Sequence, residues 1–243
     1  MSSYNIIASN PNSTVVAEYV SVDPRSHEYQ SERQLEAEFI RILQTNGYEY
    51  LTIRSNNDLL VNLRNQISRL NDVAFTDSEW SQLLSNYLAN KNDTTLEKTT
   101  KVQEDYIYNL RRDDGTTKNI RILDKDNLHN NSLQVINQYE AEGARKNRYD
   151  VTVLVNGLPL IHIELKRRGV AIREAFNQIN RYQRDSFWAE SGLFEYVQLF
   201  VISNGTHTKY YSNTTRSARL KEQAGKTSGK KTSNSFELVD ASR

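Results

Sequence analysis

The residues best suited to chemistry lie in one short stretch, Tyr149–Lys166. Asp150 stands before its first apolar run, and Glu164 and Lys166 are separated by one residue near its end. Carboxylate oxygens are ligands that suit Mg²⁺ or Mn²⁺. Such an ion lowers the pKa of a bound water and offsets charge on a phosphodiester oxygen. An ammonium group at Lys166 can hold the attacking water or the phosphate, so the stretch offers the groups that phosphate-ester hydrolysis needs.

These groups are brought together if the stretch forms a β-hairpin. Aliphatic residues alternate on both sides of Asn156-Gly157, which is the strongest short-range hairpin signal. The apolar residues are odd-numbered on both strands: Val151, Val153, Val155, Ile161, Ile163 and Leu165. The even-numbered face then carries Asp150, Thr152, His162, Glu164 and Lys166. A plain two-residue turn would put the two apolar sets on opposite faces, so we expect an odd-length loop or a bulge near Leu158-Pro159.

Asp150, Glu164 and Lys166 could by themselves be ordinary surface charges, because an exposed strand face often carries mixed charges at alternate positions. The next segment makes the combination more specific. Arg173–Tyr182 has the apolar spacing of a helix and follows a break at Gly169. Gln178 and Tyr182 are four residues apart, so they share one face of that helix. A helix that runs back from the second strand can place this pair near a phosphate bound at the carboxylates.

Asp150, the NGLPL turn, Glu164-Leu-Lys166 and Gln178-x-x-x-Tyr182 together resemble a known family. It is the nuclease domain at the N-terminus of the R (restriction and motor) subunit of type I restriction-modification enzymes, within the PD-(D/E)xK superfamily. The resemblance covers most of residues 15–215, although Tyr149 replaces the proline of the superfamily pattern. It implies an α/β (α+β) fold with a restriction-endonuclease-like core. In that core a central mixed β-sheet is flanked by helices, in the order αβββαβ.

The resemblance also implies roles for individual residues. Its catalytic residues would be Asp150, Glu164, Lys166, Gln178 and Tyr182. Asp150 and Glu164 would hold Mg²⁺, with Mn²⁺ as an alternative, helped by the Leu165 carbonyl and by Glu32. Lys166 would orient or deprotonate the attacking water, while Gln178 and Tyr182 would position Lys166 or the scissile phosphate.

Glu32 lies at the start of a predicted helix over Tyr29–Tyr48, for which Ser31 is the expected N-cap. An acid in the first turn of a helix commonly serves only to complement the helix dipole. The matching helix of the family carries an acid directed toward the metal site. That likeness favours Glu32 as a metal-site residue, with Glu36 as the second choice.

A run of basic residues surrounds the predicted site. Arg167, Arg168, Arg173 and Arg181 lie on or near the predicted helix, where they can line a groove for the DNA backbone. A solvated helix face explains them equally well. The net charge of the 243-residue chain is only +1, so any affinity for DNA must come from such local patches.

The composition is that of an ordinary globular protein, with 25% charged and 37% hydrophobic residues. The chain contains no cysteine, which excludes a disulfide scaffold and a thiolate metal site. No apolar run approaches the length of about 18 residues that is typical of a membrane span, and no signal pattern is present. We therefore expect a cytoplasmic protein without a membrane partner.

Three regions are expected along the chain: a loose tail over residues 1–13, a nuclease domain over 14–215 and a flexible basic linker over 216–243. Within the domain the patterns predict, in order, a strand near 14–20, helices at 58–70 and 77–87, a polar connection at 90–100 and a hairpin at 103–124. Residues 132–139 fit either a strand or a helix, with a strand favoured, and further strands are predicted at 196–203 and 208–212. The segment AGKTSGKKTS in the linker is not a phosphate loop, because Leu220 stands where the first glycine is required.

The combined expectation is a Mg²⁺-dependent endonuclease that cuts double-stranded DNA without sequence preference of its own. The resemblance implies a full subunit that joins methyltransferase (M) and specificity (S) subunits. ATP would be used only by helicase-like motor domains absent from these 243 residues. Two alternatives remain open: a RecB-like exonuclease or resolvase with the same core, and a catalytically silent DNA-binding and docking module.

Overall fold

The structure, a computed structural model, describes residues 31–144 and 146–213 in full. It also describes the backbone of strands at residues 3–10, 13–20 and 239–240. Among these residues no helix is long and apolar enough to cross a membrane.

Five α-helices are present in the described residues, and side-chain caps start four of them. They are α1 (Glu32–Thr45), α2 (Asn56–Asn71), α3 (Asp77–Leu83), α4 (Thr95–Gln103) and α5 (Ile172–Asp185). Ser31, Thr76 and Thr94 each form a capping box with the residue three positions later, and Ser55 caps α2. Such caps satisfy backbone N–H groups that the first helical turn leaves unpaired.

The strands form one large sheet and two small ones. They are β1 (Ser3–Asn10), β2 (Ser13–Val20), β3 (Glu49–Tyr50), β4 (Ile107–Arg111), β5 (Thr117–Arg121), β6 (Leu133–Glu142), β7 (Lys146–Val155), β8 (Leu158–Leu165), β9 (Leu199–Ser203), β10 (Thr208–Ser212) and β11 (Val239–Asp240). The large sheet has the order β11-β10-β9-β8-β7-β6-β3. Its β8–β9 and β3–β6 pairs are parallel and the others antiparallel. The predicted order αβββαβ is confirmed by α1, β6, β7, β8, α5 and β9.

The hairpin β7–β8 has the predicted turn and the predicted irregularity. Asn156 and Gly157 both have positive φ angles, 50° and 83°, which a two-residue turn of this kind requires. Val155 pairs with Leu158, but the register shifts beyond Leu154, so that Leu160 is left over as a bulge. The bulge returns the odd-numbered apolar residues of both strands to one face.

Both faces of this hairpin are covered. The odd-numbered face packs under α1 in a cluster formed by Ile40, Val135, Val151, Val153, Ile163 and Leu165. The even-numbered face lies in the larger core, where Thr152, His162 and Glu164 are at most 1% exposed. The face predicted to be polar is therefore an interior face, and its polar groups are removed from water.

Several local predictions are confirmed, among them α1 with its cap, α2, α3, the β4–β5 hairpin, β6, α5 and β10. Others are wrong. Residues 95–103 form helix α4 and not a polar connection, and residues 3–10 form β1 where a loose tail was expected. In α1, Ile40 is buried whereas Ile42 is 44% exposed. The predicted linker lies outside the described residues except at β11, which pairs with β10.

Candidate active site

Asp150 and Glu164 lie on adjacent strands, and the structure brings them together as predicted. Val151 pairs with Ile163 across β7 and β8, which makes Asp150 and Glu164 neighbours. The backbone N–H of Leu165 donates to Asp150 Oδ2 at 3.0 Å. Glu164 is fully buried, and Lys166 Nζ donates to its Oε1 at 3.3 Å. The three groups identified from the sequence thus form one cluster.

Burial raises the pKa values of both carboxyls far above their ordinary range. The pKa of Asp150 rises to about 7, first because the group is desolvated and then because Glu164 is close. The pKa of Glu164 also rises to about 7 through burial, although the Lys166 ammonium opposes the rise. Near neutral pH the pair therefore holds protons that a bound cation would displace. Strong perturbation of this kind is typical of functional sites.

The residues present fit a partly hydrated Mg²⁺. Glu164 Oε2 is buried and has no hydrogen-bond partner among the described residues, so the carboxylate still lacks a partner that a cation or a donor could supply. Within residues 31–144 and 146–213, no group of three or more Asp, Glu, His or Cys side chains could hold a metal ion. Mg²⁺ usually takes only one or two carboxylates and keeps several waters. Two carboxylates, with water, backbone oxygen or a substrate phosphate, meet that requirement.

Helix α1 brings two acids toward the pair. Glu32 is exposed, its Oε1 accepts from the backbone N–H of Arg167 at 3.3 Å, and its charge helps to raise the pKa of Glu164. Glu36 is only 8% exposed and accepts hydrogen bonds from the side-chain amides of Asn137 and Gln138. Burial raises the pKa of Glu36, and the Asp150 charge adds to the rise. Both predicted acids face the site, and the choice of Glu32 as metal-site residue stays a prediction.

A pocket of about 560 Å³ opens beside Asp150, between α1 and strand β6. Its lining residues are Glu32, Arg33, Glu36, Arg54, Asn137, Gln138, Glu140, Arg148 and Asp150. Of the four acids in this lining, Glu32, Glu36 and Asp150 were identified from the sequence and Glu140 was not. The arginines and the amides of the lining were not predicted. Arg148, two residues before Asp150 on the same strand, could have been found from the period of a strand. Arg54 and Gln138 come from distant segments that carry no such signal.

Gln138 has a backbone φ of 54°, which is unusual for a residue with a side chain. It lies across from Asp150, since Asn137 pairs with Val151 and Tyr139 with Tyr149. Asn137 and Gln138 are consecutive, yet both amides reach Glu36, so the alternation of faces along β6 is interrupted here. Left-handed residues inside strands cost about 1–3 kcal/mol and cluster at functional sites. The interruption turns the Gln138 amide into the pocket.

Gln178 and Tyr182 of α5 form a hydrogen-bonded pair, as their spacing predicted. The Gln178 amide donates to the Tyr182 hydroxyl, which in turn donates to the Arg148 backbone oxygen at 2.8 Å. In the described part of the chain neither side chain is bonded to Lys166. The pair anchors β7 two residues before Asp150, and its predicted contact with Lys166 or the scissile phosphate stays a prediction.

The four arginines assigned to the DNA backbone lie around the end of β8 and along α5. Arg167, Arg173 and Arg181 are exposed, and the guanidinium of Arg181 lies 5.4 Å from the centre of the Tyr182 ring. Arg168 is half-buried and packs beside Gly205. None of the four has an ion-pair partner among the described residues, so their charges are available to an anion. Their contact with DNA stays a prediction.

Fold and site together define the class of protein. A mixed sheet in the order αβββαβ, with a carboxylate pair and a lysine at the end of its central hairpin, is the arrangement of a PD-(D/E)xK nuclease core. The family described as "Type I restriction enzyme R protein N terminus" matches residues 29–219. The chain belongs to this family.

Curated relatives agree with the family. The chain is 48% identical over 211 residues to "Type I restriction enzyme EcoprrI endonuclease subunit" of Escherichia coli, covering 86% of this chain and 67% of the relative. It is 42% identical over 190 residues to "Type I restriction enzyme SsaAORF53P endonuclease subunit" of Staphylococcus saprophyticus, covering 76% of this chain. The chain spans only 20% of that second relative, so it corresponds to a part of a longer protein there.

Proposed function

We propose that this chain is a Mg²⁺-dependent endonuclease domain of a type I restriction enzyme R subunit, which hydrolyses DNA phosphodiester bonds. The observation that carries the proposal is the carboxylate pair, in which half-buried Asp150 lies beside fully buried Glu164 and the Lys166 ammonium donates to Glu164. The names of the relatives support the same activity.

The chain's own residues divide the work as follows. Asp150 and Glu164 would hold the metal ion, which when bound would supply charge compensation at the phosphate and lower the pKa of a bound water. The Leu165 N–H fixes the Asp150 carboxylate, because it donates to Oδ2 at 3.0 Å. Lys166, whose side chain is 11% exposed, brings a positive charge to the edge of the site, where it orients the water or stabilises charge on the phosphate.

In the full enzyme this domain would work with M and S subunits and with ATP-driven motor domains. We propose that it cuts double-stranded DNA without sequence preference of its own. Arg167, Arg168, Arg173 and Arg181 would contact the phosphate backbone, which positions a duplex without identifying its sequence. The domain would act in the cytoplasm, where cellular DNA in bacteria lies.

The test uses Asp150→Ala and Lys166→Ala in the complete enzyme, with circular DNA as substrate and ATP hydrolysis measured in parallel. Loss of cleavage with retention of ATP hydrolysis is the expected result. Glu140→Gln, which removes one charge from the same pocket, is the matched control and should leave cleavage in place. Cleavage that survives both alanine substitutions would assign the chain to docking or DNA binding, and cleavage of linear DNA only would indicate an exonuclease.

A further inference from the structure

His162 is a buried histidine beside the carboxylate pair to which the sequence pattern gave no role. Its side chain is 0% exposed, and its Nε2 lies 3.5 Å from Glu164 Oε2, which is equally buried. Neither atom has a hydrogen-bond partner among the described residues. Two orphaned polar atoms that face each other in a dry interior are costly unless they bond to one another.

The ring of His162 is fixed by its surroundings. Four aromatic rings stand at steep angles to it, those of Tyr149, Tyr182, Phe187 and Phe200, with centroids 5.4, 5.9, 5.6 and 6.4 Å away. Thr152, its cross-strand partner, places Oγ1 3.5 Å from Nδ1. The ring therefore has a hydroxyl on one nitrogen and the Glu164 carboxyl on the other.

Only one tautomer of the neutral ring satisfies all three groups when Glu164 is ionised. A carboxylate accepts hydrogen bonds and cannot donate them, so Nε2 must carry the proton of the neutral ring. Nδ1 is then an acceptor, and the Thr152 hydroxyl can donate to it. The opposite tautomer would direct a lone pair at the carboxylate.

We propose that His162 is a positioning residue for Glu164: its Nε2–H donates to Glu164 Oε2 and holds the carboxylate in the orientation that binds the metal ion. The inference rests on the proposed function, because it assigns Glu164 to the metal. The 3.5 Å separation is long for such a bond, and hydrogen bonds of this kind shorten when the site is loaded. Groups that orient a metal ligand in this way typically change metal affinity about 10–100-fold when removed.

The tautomer is tested first, on the 243-residue chain without metal. Long-range ¹H–¹⁵N correlation spectra of the imidazoles near pH 8 show which ring nitrogen carries the proton, and His162→Phe identifies the resonance by its loss. A protonated Nε2 supports the proposal. A protonated Nδ1 overturns it, and this result does not depend on any cleavage activity.

Metal binding supplies the second readout, by calorimetric titration of the chain with Mn²⁺. His162→Phe keeps the aromatic packing but removes the donor, and it should weaken binding about tenfold. His162→Gln restores an N–H donor and should bind within about threefold of wild type. Equal affinity for all three proteins would overturn the proposal, as would equal weakening by both variants, which indicates a packing role.

The proposed function fails separately from this inference. If Asp150→Ala leaves cleavage intact in the complete enzyme, the nuclease assignment is wrong whatever the tautomer of His162. If Asp150→Ala abolishes cleavage while His162→Phe binds Mn²⁺ like wild type, the nuclease assignment stands and the role of His162 is refuted.

Discussion

Replacing Asp150 with asparagine is expected to stabilise the metal-free chain even though it removes a residue of the proposed active site. The carboxylate is held in a desolvated position next to Glu164, where its charged form is unfavourable. Asparagine is similar in shape and carries no charge. Its side-chain oxygen can still accept the hydrogen bond that the Leu165 N–H donates to Asp150 Oδ2.

The size of the effect follows from the pKa of Asp150, which burial raises from 3.8 to about 7. A group whose pKa is higher in the folded state stabilises the fold only while it is protonated. That contribution is complete below pH 4 or so and disappears as the pH rises through about 7. The difference corresponds to about 4 kcal/mol. Because Glu164 titrates with Asp150, we expect a gain of about 2–4 kcal/mol for the variant near pH 8 and almost none near pH 4.

The assay is thermal or denaturant unfolding of the metal-free chain at both pH values, with EDTA present. For a chain of this size the gain should raise Tm by roughly 5–15 °C near pH 8. Glu140→Gln is the control, since Glu140 lines the same pocket on an exposed position. Destabilisation of the chain by Asp150→Asn near pH 8, or the same stability for both variants, would contradict this prediction.

Three further predictions concern the same region. Mg²⁺ binding near pH 7 should release about one proton from the Asp150 site. Calorimetry in buffers of different ionisation enthalpy measures this release, and a value of zero would contradict the raised pKa of Asp150. Gln138→Gly should be more stable to denaturant than Gln138→Ala by about 1 kcal/mol, because both lose the amide and only glycine accepts this backbone without strain; equal stabilities would argue against strain. Gly157→Ala should lower the free energy of unfolding by about 3 kcal/mol or more, because the added Cβ would lie 2.7 Å from Leu63 Cα. Gly115→Ala should lower it by only about 1 kcal/mol, because a Cβ there meets nothing within 4 Å. Similar losses in unfolding experiments would show that the backbone at Leu63 moves to make room.

The hairpin and its carboxylates could be predicted from the sequence because their signals are local. The positive φ angles at Asn156 and Gly157 are those that an Asn-Gly turn adopts. The odd-numbered period identified the apolar residues that share one face, and in the structure this face packs against α1. The period also required an odd-length loop or a bulge near Leu158-Pro159, because a plain two-residue turn puts the two apolar sets on opposite faces. The structure has that bulge at Leu160.

Helix α4 was not predicted from the sequence, because its buried face is polar. Lys98 and Thr99 are each 2% exposed, and Val102 is the apolar residue beside them. The ammonium of Lys98 pairs with Glu195, 97 residues away in sequence, and Thr99 Oγ1 accepts from the Asn213 amide at 3.0 Å. Long-range partners make this face stable, and no local pattern reveals them.

The pocket beside Asp150 was not predicted from the sequence, for a related reason. Its amides reach Glu36 only because Gln138 departs from strand geometry, which shifts the alternation of faces by one residue. A strict period of two places Asn137 and Gln138 on opposite faces. A left-handed residue inside a strand costs stability, so it is found where the fold imposes a backbone that the local sequence does not favour.

The carboxylate pair also goes against local preference, because its charges lie in a hairpin that is packed on both faces. The charged forms of Asp150 and Glu164 are expected to destabilise the metal-free fold, because burial raises the pKa of both. The strands that carry them therefore need packing strong enough to hold the charges in place. The α1 cluster supplies it on one face of the hairpin, and the aromatic rings around His162 supply it on the other. A cation that binds the pair removes the electrostatic penalty and keeps the rigidity. Metal binding is then expected to stabilise the chain, and to do so only while Asp150 and Glu164 are both present.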